Sequence, residues 1–350
     1  MVLPEPAPTV LRRSAAALAG VVAVVLATLL VVGQPRADVG VPTAGAGPDT
    51  DPQVLVVSLD GFNPRVLRTL GRSGLPHLWR LFDEGAGTLD ARTQLELTDT
   101  LPNHTSMVTG RRIDRRRGGH GVTWNDDRPR PRTVQRAAGH RVESVFTRVA
   151  AHGASAALFA AKTKFRLWQR SWPRALDRVE IRDEDDAAVV RLARDDLSRR
   201  DRALTFVHLG AADRAGHAAG WLTPTYLDAV RSLDRLVGLL ETDVDTRPEL
   251  ADVTVVLTAD HGGSAGHTRH SAPGVEANYT VPFVVWGPEV DHADLYAVNP
   301  GYVAPGRTRP DLVGRQPVRN GDVANLALSL LGHEPVPGSL FGHRRPLRVR

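Results

Sequence analysis

The sequence predicts an α/β sandwich. Three observations carry this: four short apolar runs of strand length, helical periodicities between them, and loops rich in Asp and Gly directly after the runs. The runs are Val54 to Leu59, Ala203 to Leu209, Val253 to Thr258 and Val281 to Trp286. Each is too short for a buried helix and lacks the alternation of a half-exposed strand, so each reads as a strand covered on both faces, as in a parallel sheet.

Taken in order, the chain opens with Arg12 and Arg13, then an apolar run from Ala15 to Val32 whose one polar side chain is Thr28, then a Pro/Gly/Ala-rich stretch from Gly33 to Pro48. That is the pattern of an export segment. Residues 1–36 are therefore expected to be a signal peptide or an N-terminal membrane anchor, residues 37–50 a linker, and residues 51–350 one catalytic domain. The run is intermediate in length between a signal-peptide core and a spanning helix, so cleavage and retention both stay open. The domain would then sit outside the cell, free or on the outer face of the membrane.

The first strand ends in Asp60-Gly61, the third in Ala259-Asp260-His261-Gly262-Gly263, the fourth in Gly287-Pro288. Ligands gather at the carboxyl ends of parallel strands. A helix is expected over Glu184 to Leu197, with acidic residues in its first turn where the macrodipole favours them. Another opens at Thr223-Pro224 and carries an apolar stripe of Leu227, Val230, Leu233, Val237 and Leu240. A third runs from Val323 to Leu331 and stops at Gly332.

With 350 residues and 42% hydrophobic content, the chain can bury a large core. It has no cysteine, which excludes disulfides, thiolate metal sites and a cysteine nucleophile, and leaves any metal to its 13 His and its carboxylates. The net charge of +5 is concentrated locally at Arg111, Arg112, Arg115, Arg116 and Arg117. With no interleaved aromatics there, a solvated loop is the preferred reading and specific nucleic-acid binding is not expected.

Four separated segments carry metal-ligand or nucleophile residue types: Asp60; Thr100 within Thr98-Asp99-Thr100-Leu101-Pro102-Asn103-His104; Asp213 with His217; and Asp260 with His261. Asp213 and His217 flank Gly216, which permits a tight bend, so both groups can reach one ion. Each segment alone is a weak signal; their order and spacing together are strong. A helix starting at Pro102 would aim its dipole and free N–H groups at an anion beside Thr100.

With Thr109-Gly110, His120-Gly121 and Asn125, these motifs resemble the type I phosphodiesterase/nucleotide pyrophosphatase family of the alkaline phosphatase superfamily, over roughly residues 53–340. The resemblance implies a three-layer sandwich with a central, mostly parallel sheet and helices on both faces. It also implies two divalent ions, zinc by preference. Asp60, Thr100, Asp260 and His261 would hold one, and Asp213, His217 and a later histidine the other. Of the two later candidates His267 is preferred because it follows a glycine, with His270 the alternative. Thr100 would be the nucleophile, since a nearby divalent cation offsets the high pKa of its hydroxyl, and Asn125 would donate to a non-bridging phosphate oxygen.

The implied reaction is hydrolysis of a phosphodiester or pyrophosphate bond in a small phosphate ester or nucleotide. It would pass through a phosphothreonine, with net retention at phosphorus. Phosphomonoester or phosphonate hydrolysis, and transfer of the phosphoryl group to a lipid or glycan hydroxyl, are the alternatives. The sulfatase branch needs Cys or Ser where this chain has Thr100. The segment Phe159 to Pro173, with Lys162, Lys164, Arg166 and Arg170 among aromatics, either closes over the site or packs as an ordinary connection; Lys162 and Lys164 are candidates for substrate contact.

Overall fold

In the computed structural model, residues 51–350 are described. The export segment and linker expected before them lie outside the described residues. Among the described residues no helix is long and apolar enough to cross a membrane.

The centre is one eight-stranded sheet. Its strands are β1 (Gln53–Leu59), β2 (Ala86–Arg92), β3 (Ala156–Ala160), β4 (Arg178–Ile181), β5 (Leu204–Leu209), β6 (Val253–Thr258), β7 (Thr280–Trp286) and β8 (Ala293–Asp294). They lie in the order β4-β3-β5-β1-β6-β7-β2-β8. Five of the seven pairings are parallel, so the sheet is mostly parallel. β1, β5 and β6 are buried along their whole lengths, which is why their sequences show apolar runs rather than alternation.

The fourth apolar run is a strand, but it does not run parallel to the others: β7 pairs antiparallel with both β6 and β2. No long crossover helix lies between β6 and β7, only a loop and the short helix Glu276–Tyr279, so the chain turns back beside the strand it has just left. A strand covered on both faces reads the same in either direction, so the apolar run could not reveal this.

Helices cover the sheet in two layers. Thr100–Thr109, Val145–Ala151 and Val323–Leu330 pack on one another, and Arg65–Gly74, Pro76–Glu84, Asp186–Leu197 and Pro224–Thr246 form a second group. The expected helix after Thr223-Pro224 spans Pro224–Thr246 and buries Val230, Leu233, Val237 and Leu240. The expected helix at Glu184 begins two residues later. Glu184 adopts a positive φ of 58°, outside the right-handed helix, and Asp185 caps Asp186–Leu197 by accepting from the Ala188 amide. The helix Val323–Leu330 ends before Gly332, at φ 70°.

Register carries the fold toward chemistry. Ser58 stands opposite Thr258 in the β1–β6 pair and Leu59 opposite Leu209 in the β1–β5 pair. Asp60 and Asp260 thus leave neighbouring strands side by side, with the β5–helix turn that carries Asp213 next to them.

The basic cluster is not uniformly a solvated loop. Arg111 is buried, donating to the carbonyls of Gly118 and Pro337, and Arg112 pairs with Glu96 at 2.7 Å. Only Arg115, Arg116 and Arg117 form an exposed turn. Short runs of charge in a sequence do not show which members reach back to carbonyls of distant segments.

Candidate active site

The site lies where the C-terminal ends of β1, β5 and β6 meet the start of the helix Thr100–Thr109. Asp60 follows β1 directly and is fully buried. Gly61 then turns the chain with φ +70°, and its N–H donates to Asp260 Oδ1 at 3.0 Å. A Cβ on Gly61 would sit 2.8 Å from the Asp213 Cα, so glycine is what lets these two segments touch. The Asp213 amide closes the contact on the Asp60 carbonyl at 3.1 Å.

Asp213 and His217 lie one turn apart on the helix Ala211–Ala219 and so share a face. The Nδ1 of His217 donates to the Thr268 carbonyl at 2.9 Å, which turns Nε2 toward Asp213 Oδ1, 3.4 Å away. His261 is set in the same way: Nδ1 donates to the Gly262 carbonyl at 2.9 Å, and Nε2 faces Asp60 Oδ1 at 3.4 Å and Asp260 Oδ2 at 3.4 Å. Fixing the tautomer through the other ring nitrogen is how ligating imidazoles are normally oriented.

His270, not His267, completes the second group. The Nδ1 of His270 donates to the Thr98 carbonyl at 2.8 Å, while Thr98 Oγ1 donates back to the His270 carbonyl at 2.6 Å. This leaves His270 Nε2 3.2 Å from His217 Nε2 and 3.8 Å from Asp213 Oδ1. His267 is exposed and takes part through its backbone, with its carbonyl accepting from the Trp221 amide at 3.1 Å. The preference for His267 rested on the preceding glycine. That glycine, Gly266, instead serves a turn at φ +74° whose amide donates to the Trp221 carbonyl.

Two groups of side chains thus have the geometry to hold an ion each: Asp60, Asp260 and His261, and Asp213, His217 and His270. A third grouping of Asp60 with His104 and His208 does not offer free lone pairs. His104 donates through Nδ1 to the Thr100 carbonyl and accepts from Ser58 Oγ, and His208 donates to Asp60 Oδ2 and accepts from the Ala161 amide.

The donor set fits divalent cations. Asp213 Oδ1, Asp260 Oδ2 and His261 Nε2 are buried without a hydrogen-bond partner, and all three belong to the two ligand groups. Orphaned buried polar atoms are costly, and a cation in each group would satisfy them. Carboxylate and imidazole donors suit zinc and other first-row ions. The electrostatics point the same way. Burial together with the neighbouring Asp60 charge pushes the Asp260 carboxyl up to about 7. For His261 burial acts downward, but Asp260, Asp60 and Asp213 outweigh it and lift the imidazole to about 9. The site concentrates buried negative charge, part of it met by the Lys162 ammonium.

Thr100 is the first residue of its helix, buried, with Oγ1 3.5 Å from Asp60 Oδ1. The helix starts at Thr100 rather than Pro102. Its Leu101 N–H is not free for a ligand, because Asn125 Oδ1 accepts it at 2.9 Å. The same oxygen accepts from Lys164 Nζ at 3.0 Å, which leaves the Asn125 amino group as its remaining donor. In the segment after β3, Phe165, Leu167, Trp168 and Trp172 are buried and pack on the domain, while Lys162 and Lys164 point into the site. His208, inside an apolar run, has no signal in the sequence; only its register opposite Ser58 brings it to Asp60.

A family model for type I phosphodiesterase/nucleotide pyrophosphatase matches residues 54–309. The chain belongs to this family. Solved structures agree on the fold. Murine ectonucleotide pyrophosphatase/phosphodiesterase 5 superposes with a TM-score of 0.63 at 14% identity, covering 81% of this chain and 96% of that one. A 2-O GAG sulfatase superposes at 0.59 and 13% identity, over 86% of this chain and 75% of that one. Family and fold together place the chain in the alkaline phosphatase superfamily.

Among curated proteins it is similar to GPI ethanolamine phosphate transferase 1 of Chaetomium globosum, 33% identical over 147 residues. The Neurospora crassa protein of the same name is 33% identical over 144 residues. These matches cover 40% and 39% of this chain but only 15% and 14% of those much longer proteins.

Proposed function

We propose that the chain cleaves phosphodiester or pyrophosphate bonds in small esters or nucleotides, with two divalent ions and Thr100 as nucleophile. One observation carries the reading: the Thr100 hydroxyl lies against Asp60, at the edge of two carboxylate–imidazole groups in which Asp213 Oδ1, Asp260 Oδ2 and His261 Nε2 lack partners. Bound there, the ions would neutralise phosphate charge and lower the cost of a Thr100 alkoxide. Thr100 attacks phosphorus, forming the Oγ1–P bond as the bond to the leaving oxygen breaks, and the amino group of Asn125 binds a non-bridging oxygen. The phosphothreonine so formed keeps the substrate's second substituent, the Thr100 proton ending on the departing alcohol; its hydrolysis releases a monoester and returns Thr100. Two inversions give retention at phosphorus.

The export pattern before residue 51 supports a location outside the cytoplasmic membrane. The deciding experiment measures bound metal, then compares bis-p-nitrophenyl phosphate and a dinucleotide with p-nitrophenyl phosphate, each with and without chelator. Metal binding with chelator-sensitive, diester-preferring turnover is the expected result; a monoester preference would move the function to phosphatase.

A second reading has its own support in the similarity to GPI ethanolamine phosphate transferases: the phosphothreonine is captured by a hydroxyl acceptor instead of water. Product analysis with lipid or glycan acceptors present separates the two, because a transferase yields a new diester and a hydrolase a free acid.

A further inference from the structure

The ammonium of Lys162 lies between the two ligand groups. Its Nζ is 2.7 Å from Asp60 Oδ2 and 2.6 Å from Asp213 Oδ2, so it holds one carboxylate from each group. In both cases it takes one oxygen and leaves the other. Asp60 Oδ1 faces His261 and Thr100, and Asp213 Oδ1, without a partner of its own, faces His217, His261 and His270. Lys162 is itself mostly enclosed, its side chain 13% exposed.

The local fold is built to deliver this ammonium. Lys162 follows the C-terminal end of β3, and the Ala161 amide is pinned to the His208 carbonyl at 3.2 Å. Beyond it the Thr163 amide donates to Asp183 Oδ1 at 3.2 Å. No substrate contact is needed to explain the position: the ammonium is spent on two buried carboxylates, which need a counter-charge whether or not ions are bound.

We propose that Lys162 is the permanent counter-cation of this centre, a positioning residue that holds the outer oxygens of Asp60 and Asp213. It thereby keeps the inner oxygens turned toward the two ion positions before either ion arrives. Without it, Asp60 keeps His208 but Asp213 loses its only lysine or arginine partner among the described residues, and three buried carboxylates, Asp60, Asp213 and Asp260, crowd together with no ammonium between them. Bound ions substitute for that charge. The dependence of stability on metal therefore rises when Lys162 is removed, a linkage effect that a lysine serving only to pack would not produce. The inference rests on the reading that the two groups bind divalent ions.

The test is thermal unfolding of the full chain, wild type, Lys162→Met and Lys162→Arg, in excess EDTA and with saturating zinc. In EDTA, Lys162→Met is expected to melt roughly 10 °C below wild type, given the cost of unpairing a buried charge and the usual scaling of Tm in a domain of this size. In zinc the gap closes to a third of that or less, and Lys162→Arg stays near wild type in both. Recovery of folded Lys162→Met only when zinc is in the growth medium meets the same expectation. An equal loss in EDTA and in zinc, or failure to fold even with zinc, overturns the proposal. If wild type itself gains no stability from zinc or manganese, the two-ion reading fails first.

Discussion

The imidazoles of His261 and His270 lie face to face, their centroids 3.5 Å apart and their planes 7° from parallel. Both present Nε2 to the same oxygen, Asp213 Oδ1, at 3.7 Å and 3.8 Å. The stack joins the two ligand groups and sets which later histidine belongs to the site.

His270→Ala is therefore expected to lower diester kcat/KM by about 100-fold or more, and to remove one ion. His267→Ala, an exposed side chain, should stay within about twofold of wild type. Metal analysis of the two purified variants checks this directly; the reverse pattern would return the ligand role to His267.

Thr100→Ala removes the proposed nucleophile while leaving every imidazole and carboxylate in place. Turnover should fall by roughly 10³-fold or more, with metal content close to native. Loss of the phosphothreonine, read by mass spectrometry of acid-quenched protein, is the companion measurement.

Gly61→Ala places a methyl group against the Asp213 backbone at a residue whose φ is +70°. Both effects act on the contact between the two ligand groups, so a loss of about 2–4 kcal/mol is expected together with weaker binding of at least one ion. Denaturant unfolding and chelator competition read the two losses separately.

Asn125 Oδ1 is committed to the Leu101 amide and to Lys164, which leaves its amino group as the donor. Asn125→Ala should lower kcat/KM by about 10²–10³-fold. Asn125→Asp should be worse, because it keeps both existing contacts but turns a negative oxygen toward the phosphate. Steady-state kinetics on one diester substrate distinguishes these from a mere packing defect, which would make Ala the more damaging change.

Away from the site, burial pushes Glu241 up from 4.5 to about 7, despite its contact with His77 Nδ1 at 2.9 Å. A carboxyl whose folded pKa is raised binds its proton more tightly in the folded state. Its contribution to stability therefore falls as pH rises from 4.5 to 7 and levels off above that. Glu241→Gln carries no such titration. Relative to wild type it should gain stability between pH 5 and pH 8, by at most about 3 kcal/mol. Urea unfolding at the two pH values gives the sign; a constant difference would contradict the assignment.

Much of the centre is contiguous with a strand end, and that part was legible. Asp60-Gly61 and Asp260-His261 follow apolar runs whose limits the structure reproduces closely, Val253–Thr258 at both ends. Asp213 and His217 were legible as a pair, though one helical turn joins them where a bend at Gly216 was expected, and the helix expected from Pro102 begins at Thr100. In each case the signal and the chemistry fall within about one turn or one strand, where local sterics and periodicity operate.

The sequence by itself determined the α/β class, the apolar strands that form the core, and the carboxylates, imidazoles and threonine that the fold gathers at the strand ends. Tertiary structure decided the rest: that β7 runs antiparallel, that His270 and not His267 faces Asp213, and that Lys162 serves two carboxylates. Each of these depends on contacts between segments far apart in the chain, such as Thr98 with His270 or Lys162 with both Asp60 and Asp213. The register of β1 between β5 and β6 creates those contacts. Local pattern says which face a side chain takes, but only the paired sheet says what stands opposite it.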